Sequence, residues 1–431
     1  MAQLRDFCDG VNYIAPNPMK PLPCTSEYFI VGAGFAGAAT AWALSRRGRA
    51  CGVILEREFS FGIHASGRNA ALSKLSESDS LIASLAWRTT AHIRALEESS
   101  SEILRATGGL TLYDKSHVEE SEAVFAVLQS QGIACQMLTA PVAKTRFVFL
   151  RDMQFDLALW CPEEGVVDIH ALLSRYLGIA RRAGFTLATN CAAEELILKG
   201  GRVVGVRTSQ GEIFADTVID ASGAWAGRLG RADSPLPLQP RRRHLFVSGQ
   251  LDLVGASDPF VWFEEPALYF RAEGDGLLLS PCDETPSAPG IPPTDTAAAE
   301  LLAEKLARCA PFLGNLSIRR QWACLRTFAP DRRPLIGPDA DLPGLFHVSG
   351  LGGFGMMTSA AVGELAADLL CGASPDWVDA KQAAPVRFHS SACRSSKSAL
   401  QLASSEKSVG HRYAPMAAGS RLAEFGKPDS G

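Results

Sequence analysis

The sequence lacks several patterns by which large classes of protein are recognised. None of its eleven cysteines forms a C-x-x-C pair, which argues against a zinc ribbon or a thioredoxin-like redox motif. Disulfide frameworks are unusual in a chain of 431 residues, so reduced thiols are expected and no metal site is predicted. The net charge is only -4, which offers no electrostatic basis for binding nucleic acid.

Long hydrophobic runs are also missing. The longest, between residues 350 and 370, is interrupted by glycines and by Glu364 and Asp368, so no transmembrane segment is predicted. Residues 1–26 have no continuous apolar stretch and are expected to form an unstructured leader. Residues 384–431 are rich in serine, alanine, lysine and arginine and are expected to form a disordered tail. We therefore expect a cytoplasmic protein, either free or peripheral to the inner face of the membrane.

The most informative segment that is present begins at Tyr28. A short apolar strand, a glycine turn and a helix follow one another there, in the order that a dinucleotide requires. Gly32 permits the tight turn, Gly34 lets the backbone approach a pyrophosphate, and Gly37 lets the helix lie close to its strand. Glu56 ends the next apolar run, where a carboxylate can accept both hydroxyls of an adenosine ribose.

A second strand, glycine turn and helix begin at Leu345, more than 300 residues after the first. One helix N-terminus can serve a pyrophosphate, and the other can serve a second electron-rich group, such as the N1/O2 edge of a flavin. The presence of two such units excludes a protein that consists only of one βαβαβ half of a dehydrogenase. An NAD-linked dehydrogenase is an alternative that leaves this second turn unexplained.

Five segments of the chain resemble the D-amino-acid oxidase-like family of FAD oxidoreductases, which includes glycine oxidase, sarcosine oxidase and the D-arginine dehydrogenase group. Besides the opening glycine turn, they are Ala65-Ser-Gly-Arg-Asn-Ala-Ala, Val218-Ile-Asp-Ala-Ser-Gly-Ala-Trp, Leu325-Arg-Thr-Phe-Ala-Pro-Asp-Arg-Arg-Pro-Leu-Ile-Gly and Gly350-Leu-Gly-Gly-Phe-Gly-Met. They are spread from about residue 27 to 373, so the resemblance covers the part of the chain that is expected to fold.

The resemblance implies an α/β fold, in which a Rossmann-like FAD-binding domain of the glutathione-reductase type carries an inserted α+β substrate domain built on an antiparallel sheet. It assigns residues 27–98, 162–226 and 324–373 to the FAD-binding domain, and residues 99–161 and 227–323 to the substrate domain. It also implies FAD contacts from both glycine turns and from the segments between them. The implied contacts are Gly32, Gly34, Phe35, Ala36, Gly37, Glu56, Arg57, Ala65, Ser66, Gly67, Arg68, Asn69, Ala70, Ala71, Leu72, Ala193, Ser222, Gly223, Gly352, Gly353, Phe354, Gly355, Met356 and Met357.

Three residues are candidates for catalysis and substrate binding. Arg271 and Arg326 lie where D-arginine dehydrogenase-like proteins carry carboxylate-binding arginines, and a guanidinium binds a carboxylate in two places. Tyr269 alternates with Arg271, so it faces the same side of its strand and can donate its hydroxyl to the substrate. The alternatives are two ordinary ion-paired arginines and a half-buried core tyrosine.

Four neighbouring residues have two interpretations each. Trp262 and Glu264 belong to a loop that can cover the substrate side chain, but simple packing for Trp262 and simple surface charge for Glu264 are the more usual interpretations. Phe354 can form a wall of the pocket or pack in the core. His64 is expected to be a solvated or capping histidine.

Two positions bear on the substrate and on attachment of the cofactor. D-arginine dehydrogenase-like proteins place a His-Tyr pair where this chain has Leu72-Ser73, which removes an active-site polar group and puts a cationic substrate in doubt. Cys324 aligns with the cysteine that monomeric sarcosine oxidase-like proteins bond to the flavin 8α-methyl. A small buried hydrophobic residue is the alternative for Cys324, and non-covalent FAD is the expected form.

The activity that the resemblance implies is oxidation of the Cα–N bond of an amino acid, either a D-amino acid or an N-substituted glycine. Hydride passes from Cα to flavin N5, and water hydrolyses the resulting imine to a 2-oxo acid and an amine. The electron acceptor is expected to be O2, a quinone or another electron carrier. The alternatives are oxidation of a 2-hydroxy acid or another amine, a flavin aromatic hydroxylase, and a catalytically idle flavoprotein subunit.

Overall fold

The structure, a computed structural model, describes residues 22–97, 102–229, 236–251 and 253–388. Its α-helices in chain order are α1 (Phe35–Arg46), α2 (Ser80–Leu96), α3 (Val118–Ser130), α4 (Ala140–Arg146), α5 (Ile169–Ala183), α6 (Thr296–Cys309) and α7 (Ser359–Leu370). Its strands are β1 (Thr25–Val31), β2 (Gly52–Leu55), β3 (Leu72–Ser73), β4 (Leu104–Arg105), β5 (Gly109–Tyr113), β6 (Gln136–Thr139), β7 (Leu157–Cys161), β8 (Gly165–Val167), β9 (Thr186–Ala188), β10 (Ala193–Lys199), β11 (Arg202–Thr208), β12 (Gly211–Asp220), β13 (Gln239–Ser248), β14 (Phe260–Phe263), β15 (Leu268–Glu273), β16 (Gly276–Ser280), β17 (Thr285–Pro286), β18 (Ile318–Phe328), β19 (Leu335–Pro338), β20 (Leu345–Ser349) and β21 (Leu351–Gly352).

The first sheet has parallel strands at its centre, in the order β9, β2, β1, β12 and β20. Strands β10 and β11 extend it as an antiparallel meander with β12, and β19 pairs antiparallel with β20. Because parallel strands place their carboxyl ends at one edge, the segments that follow Val31, Leu55, Asp220 and Ser349 lie together there. The predicted Rossmann-like α/β architecture is confirmed.

The central strands are apolar on both faces because both faces are covered. Ile30 and Ile54 pack in one hydrophobic cluster with Trp42 of α1, whereas Phe29 and Val53 pack in another on the opposite face. Small residues bring α1 and α7 together, so closely that a Cβ on Gly363 would lie 2.4 Å from the Ala39 carbonyl oxygen. The two helices that begin at the glycine turns are therefore packed directly on each other.

The second sheet has the strand order β21, β18, β13, β16, β15, β14, β5, β7 and β6, with β17 paired to β13. All its pairs are antiparallel except that of β14 with β5. One face carries Phe246, Phe270 and Leu279, which pack with Leu302 and Leu306 of α6. The predicted antiparallel sheet is thus present, and β18 crosses the predicted domain boundary at residue 324. A third, small sheet joins β3, β8 and β4.

Much of the two predicted terminal segments falls outside the described residues. Strand β1 begins at Thr25, within the range predicted as a leader, and residues 1–21 are not described. Pro385–Phe388 form a 3₁₀ turn within the range predicted as a tail, of which residues 389–431 are not described. In the part of the chain that is described, no helix is both long enough and apolar enough to cross a membrane.

A buried carboxylate on α7 joins this helix to α2. Glu364 lies 2.6 Å from Arg88 and 2.7 Å from His92, side chain to side chain. Burial works against ionisation of this carboxyl, but hydrogen bonds from His92 and Arg88 lower its pKa from 4.5 to about 2. Since the folded-state pKa is depressed, the resulting stabilisation is complete above pH 4.5 and is lost as the pH falls towards 2.

Glu364→Gln is therefore expected to lower the free energy of unfolding by roughly 3 kcal/mol at pH 7, because each pKa unit corresponds to about 1.4 kcal/mol. The difference from the unmodified protein should shrink as the pH is lowered from 5 to 3. Denaturant unfolding at these pH values measures both quantities. Glu27→Gln, which removes the exposed partner of Arg49, serves as the control and should change little. An equal loss at every pH would contradict this account.

Candidate active site

A cavity of about 1000 Å³ lies between the carboxyl edge of the first sheet and the second sheet. Its volume is at the upper end of the range of about 300–1,000 Å³ that is usual for small-molecule sites. All the residues predicted to contact FAD or substrate line this cavity except Gly37, Gly67 and Arg271. Segments that are far apart in the chain therefore meet around one space.

The first glycine turn supplies one wall. Gly32 has a φ of 103°, which a residue with a Cβ rarely adopts. Gly37 does not line the cavity because it lies against the strand, where a Cβ would be only 2.0 Å from the Gly32 carbonyl oxygen. Gly34 caps α1 without a side-chain hydrogen bond, and the Phe35 N–H donates to Ser66 Oγ at 3.0 Å. This bond occupies the Phe35 N–H, so the backbone at this helix start that can receive a phosphate begins at Ala36, which lines the cavity.

Glu56 lies at the end of β2, as predicted. Its carboxylate accepts hydrogen bonds from the Glu58 N–H at 3.1 Å and the Ala33 N–H at 3.4 Å. The side chain is largely buried, and this burial raises the pKa of the carboxyl against the effect of the two backbone donors. The carboxylate is held beside the glycine turn, where it can accept the hydroxyls of a ribose.

An aromatic side chain to which the sequence analysis assigned no role lies at the same end of the cavity. The Arg57 guanidinium lies 4.5 Å from the centroid of the Trp225 ring, and His64 meets that ring edge-on at 4.8 Å. His64 also contacts Glu58 at 2.9 Å, so its side chain does not cap the following turn. Trp225 could have been found from the sequence, because it lies two residues after Gly223 within a recognised segment.

A buried carboxylate shapes the turn that carries Ser222. Asp220 Oδ1 accepts hydrogen bonds from the Ser222 N–H at 3.1 Å and from Ser222 Oγ at 2.5 Å. Its Oδ2 accepts one from the Gly227 N–H at 2.9 Å. These bonds present Ser222 and Gly223 to the cavity, where the predicted pyrophosphate contact requires them.

The second glycine turn supplies another wall. Thr358 precedes α7 and makes no side-chain cap, because its hydroxyl donates to the Phe354 carbonyl oxygen at 2.9 Å. A Cβ on Gly353 would meet no atom within 4 Å, so the backbone there is open. Phe354 lines the cavity and also packs against the main core cluster.

Two first-turn N–H groups of α7 are bonded within the protein, that of Ser359 to the Met356 carbonyl oxygen and that of Ala361 to Thr89 Oγ1, each at 3.1 Å. The second turn therefore offers the cavity the backbone of Gly352–Met357 and not the open helix start that was expected. Two glycine turns on one cavity fit a dinucleotide with a second ring, as in FAD.

The loop between these walls is fixed to the second sheet. The Trp322 Nε1–H donates to the Arg68 carbonyl oxygen at 3.0 Å, and Arg68 Nε donates to the Ala323 carbonyl oxygen at 3.2 Å. Ala70 packs against the inner face of the sheet, in a cluster that includes Tyr269 and Cys324. The predicted cofactor loop is therefore clamped between the two sheets.

Arg326 is buried in the wall that the second sheet contributes. It is 7% exposed, its Nε has no hydrogen-bond partner, and no ion pair is formed with it among the described residues. Tyr269 lines the same cavity and is also buried, which raises the pKa of its hydroxyl although Arg326 and Arg243 oppose the change. An unpaired buried cation is costly, so this arrangement is suited to an anionic ligand.

Arg271 is placed elsewhere. Its Nε donates to the Ala70 carbonyl oxygen at 2.8 Å, and its NH1 contacts Glu273 at 2.5 Å. The residue lines a shallow depression on the far side of the cofactor loop, and the structure does not bring it together with Arg326. Tyr269 and Arg271 do alternate on β15, but Ala70 separates the arginine from the cavity. Glu273 follows Arg271 by two residues, so both side chains lie on the same face of the strand. This carboxylate was the feature of the sequence that could have indicated an ion pair with Arg271.

Several charged residues to which the sequence assigned no role also line the cavity, among them Lys74 and Glu77. Lys74 is 4% exposed, and its Nζ lies 3.1 Å from Glu77 Oε1. Of the Leu72-Ser73 pair, Leu72 lines the cavity, whereas Ser73 Oγ is hydrogen-bonded to Thr90 Oγ1 at 3.2 Å. Lys74 directly follows the two-residue strand β3. A lysine at the end of a strand was the feature of the sequence that could have indicated it.

Cys324 lies on β18, two residues before Arg326. It is a free, buried thiol that lines the cavity. Its position agrees with both interpretations that the sequence left open, a small buried hydrophobic residue and a site of attachment.

A Rossmann-like sheet, a dinucleotide cavity at its carboxyl edge and an apposed antiparallel sheet define a nucleotide-dependent oxidoreductase. The chain belongs to the DAO family of FAD dependent oxidoreductases, which it matches over residues 27–369. FAD is the cofactor of this family, and a cavity lined by both glycine turns and by Glu56 fits it.

Similar proteins have been characterised in several organisms. Human mitochondrial sarcosine dehydrogenase is 25% identical over 376 residues, which are 82% of this chain and 40% of that protein. Glycine oxidase from Pseudomonas putida is 30% identical over 204 residues, 44% of this chain and 51% of that one. The chain thus spans about two-fifths of the length of the sarcosine dehydrogenases that it matches.

Solved structures show the same fold. L-proline dehydrogenase from P. horikoshii superposes with a TM-score of 0.77 at 22% identity, covering 85% of this chain and 99% of that one. Glycine oxidase from Geobacillus kaustophilus has a TM-score of 0.72 at 22% identity, with the same two coverages.

Proposed function

We propose that the protein catalyses FAD-dependent oxidation of the C–N bond of an amino acid, either a D-amino acid or an N-substituted glycine. The single observation that carries the proposal is the buried, unpaired guanidinium of Arg326 on the cofactor cavity. Such a group needs an anion, and the carboxylate of an amino acid supplies one with bidentate geometry. The names of two relatives support an amino-acid substrate, since sarcosine is N-methylglycine and glycine is the parent amino acid.

The residues of the chain act by holding the substrate. Arg326 binds the carboxylate and so fixes the position of Cα. Tyr269 keeps its proton because burial raises its pKa, so its hydroxyl donates a hydrogen bond to the substrate. Bound FAD supplies the acceptor for the hydride that leaves Cα. The amine must reach the cavity neutral, and the imine product is hydrolysed by water to a 2-oxo acid and an amine.

Anaerobic bleaching of the flavin tests this proposal. The FAD-loaded protein is mixed with D- and L-amino acids, N-methyl glycines and 2-hydroxy acids, and its visible absorbance is followed. We expect at least one D-amino acid or N-methyl glycine to bleach the flavin, and re-oxidation by O2 or by a quinone-like dye then identifies the class of acceptor. Bleaching by 2-hydroxy acids alone, by L-amino acids alone, or by none of these compounds would overturn the proposal.

A further inference from the structure

Beyond Tyr269, the cavity wall continues to charged side chains that the mechanism above does not use. The Trp262 ring is stacked on the Tyr269 ring with their centroids 5.0 Å apart. Lys74 Nζ lies 5.0 Å from the Trp262 centroid, and the Trp262 Nε1–H donates to Glu264 Oε2 at 3.1 Å. We call Lys74, Glu77, Trp262 and Glu264 the distal pocket; all four line the same cavity as Arg326.

The charges of the distal pocket do not balance. Lys74 is already paired with Glu77, whose carboxylate lies 3.1 Å from its Nζ. Asp79, another carboxylate on this part of the cavity, is paired with Arg333 at 2.7 Å. Glu264 forms no ion pair with any described residue, so one carboxylate in the distal pocket has no cation of its own.

The ammonium group of Lys74 does not remove this excess. Burial opposes its charge, but the carboxylates of Glu77, Glu264 and Glu164 outweigh burial and raise the pKa of Lys74. The lysine therefore stays protonated and committed to Glu77. Glu264 is half-buried beside an indole ring, where an unpaired carboxylate is less well solvated than in water and gains more from a cation.

Resting on the proposed function, we propose that the distal pocket binds a cationic group at the end of the substrate's side chain. The substrate class is then an amino acid with an ammonium or guanidinium side chain, held by Arg326 at its carboxylate and by Glu264 at its far end. Trp262, stacked on Tyr269 and contacted by Lys74, contributes by holding Glu264 in place through its Nε1–H. A side chain of the same shape without charge leaves Glu264 unpaired, and an acidic one is repelled by it.

The position of Glu264 changes the expectation about the substrate that was drawn from residues 72 and 73. Leu72-Ser73 replaces a polar pair of the D-arginine dehydrogenase group, which argued against a cationic substrate. In the structure a carboxylate reaches the cavity from a different element, the turn between β14 and β15, which carries Glu264.

Matched pairs of substrates test the proposal in the FAD-loaded protein. Arginine is compared with citrulline, and lysine with norleucine, each as the D and L forms, by the rate of anaerobic flavin reduction and its half-saturating concentration. We expect the cationic member to be favoured roughly 10- to 100-fold in the unmodified protein, the range for a hydrogen bond to a charged group. Glu264→Gln should bring that ratio to within a few-fold of one, chiefly through the half-saturating concentration.

Glu265→Gln is the matched control. Glu265 is the next residue in the chain, but it pairs with Arg308 at 2.8 Å and does not line the cavity, so this variant should keep the full preference. If neutral amino acids reduce the flavin of the unmodified protein as well as cationic ones do, this inference fails and the proposed function stands. If no amino acid reduces it, both fail. If Glu264→Gln loses its flavin, the ratios of cationic to neutral substrates in the unmodified protein still decide. If Glu264→Gln keeps its flavin and also the full preference for cationic substrates, the role of Glu264 is overturned.

Discussion

Arg326→Met is expected to lower kcat/KM for the amino acid that reduces the flavin by about 30- to 5,000-fold, while FAD stays bound. Losing one partner of a buried charge pair costs about 2–5 kcal/mol, and each 1.4 kcal/mol is about tenfold. Methionine keeps most of the side-chain volume in the wall, so the cavity should retain its shape. Stopped-flow reduction of the loaded protein gives the rate, and the flavin absorbance gives the cofactor content.

The stability of the same variant separates a functional cation from a structural one. Arg326 is buried with an unpartnered Nε, so its removal relieves a desolvation cost and should leave the Tm of the substrate-free protein unchanged or raise it. If Arg326 belonged to a structural ion pair, its removal would lower the Tm. Arg271→Met is the matched control, because Arg271 is bonded to Ala70 and Glu273 outside the cavity. Unchanged turnover in Arg326→Met, or a larger loss in Arg271→Met, would refute the assignment of the carboxylate site.

The parts of the fold that the sequence predicts are those set by local backbone requirements. Each glycine turn demands a strand before it and a helix after it, so β1 with α1 and β20 with α7 could be placed from the chain alone. The acidic Glu56 follows from the length of one such unit. Because these units meet at the carboxyl edge of a parallel sheet, nearly all the predicted FAD residues line one cavity.

The parts that the sequence does not predict depend on which chain segment lies over which face. Alternation on β15 correctly puts Tyr269 and Arg271 on one face, but it cannot show that Ala70 covers the arginine. Lys74 presents a similar difficulty, because two of the carboxylates that favour its buried charge, Glu164 and Glu264, come from distant parts of the chain. The cofactor site is thus predictable from motifs, whereas the substrate site requires the tertiary packing.

Gly37→Ala is expected to abolish or greatly weaken FAD binding. The added Cβ would lie 2.0 Å from the Gly32 carbonyl oxygen and 3.0 Å from Ile30 Cγ2, and the first of these is a backbone atom that no side-chain rotation can move aside. Helix α1 must therefore shift away from β1, and the turn that receives the pyrophosphate shifts with it. Overpacking of this kind costs about 1–3 kcal/mol, and loss of a tightly bound ligand removes about 3–4 kcal/mol more.

The ratio of flavin to protein absorbance after purification, FAD titration of the variant and its Tm together measure this effect. Gly178→Ala provides the comparison, since Gly178 lies within α5 and its Cβ would meet only Arg182 NH1, at 3.5 Å. That substitution should retain FAD and stabilise the helix by about 0.5–1 kcal/mol. If Gly37→Ala instead keeps a full complement of FAD and an unchanged Tm, then the close approach of α1 to its strand is not what shapes the phosphate site, and the reason for glycine at residue 37 must be sought elsewhere.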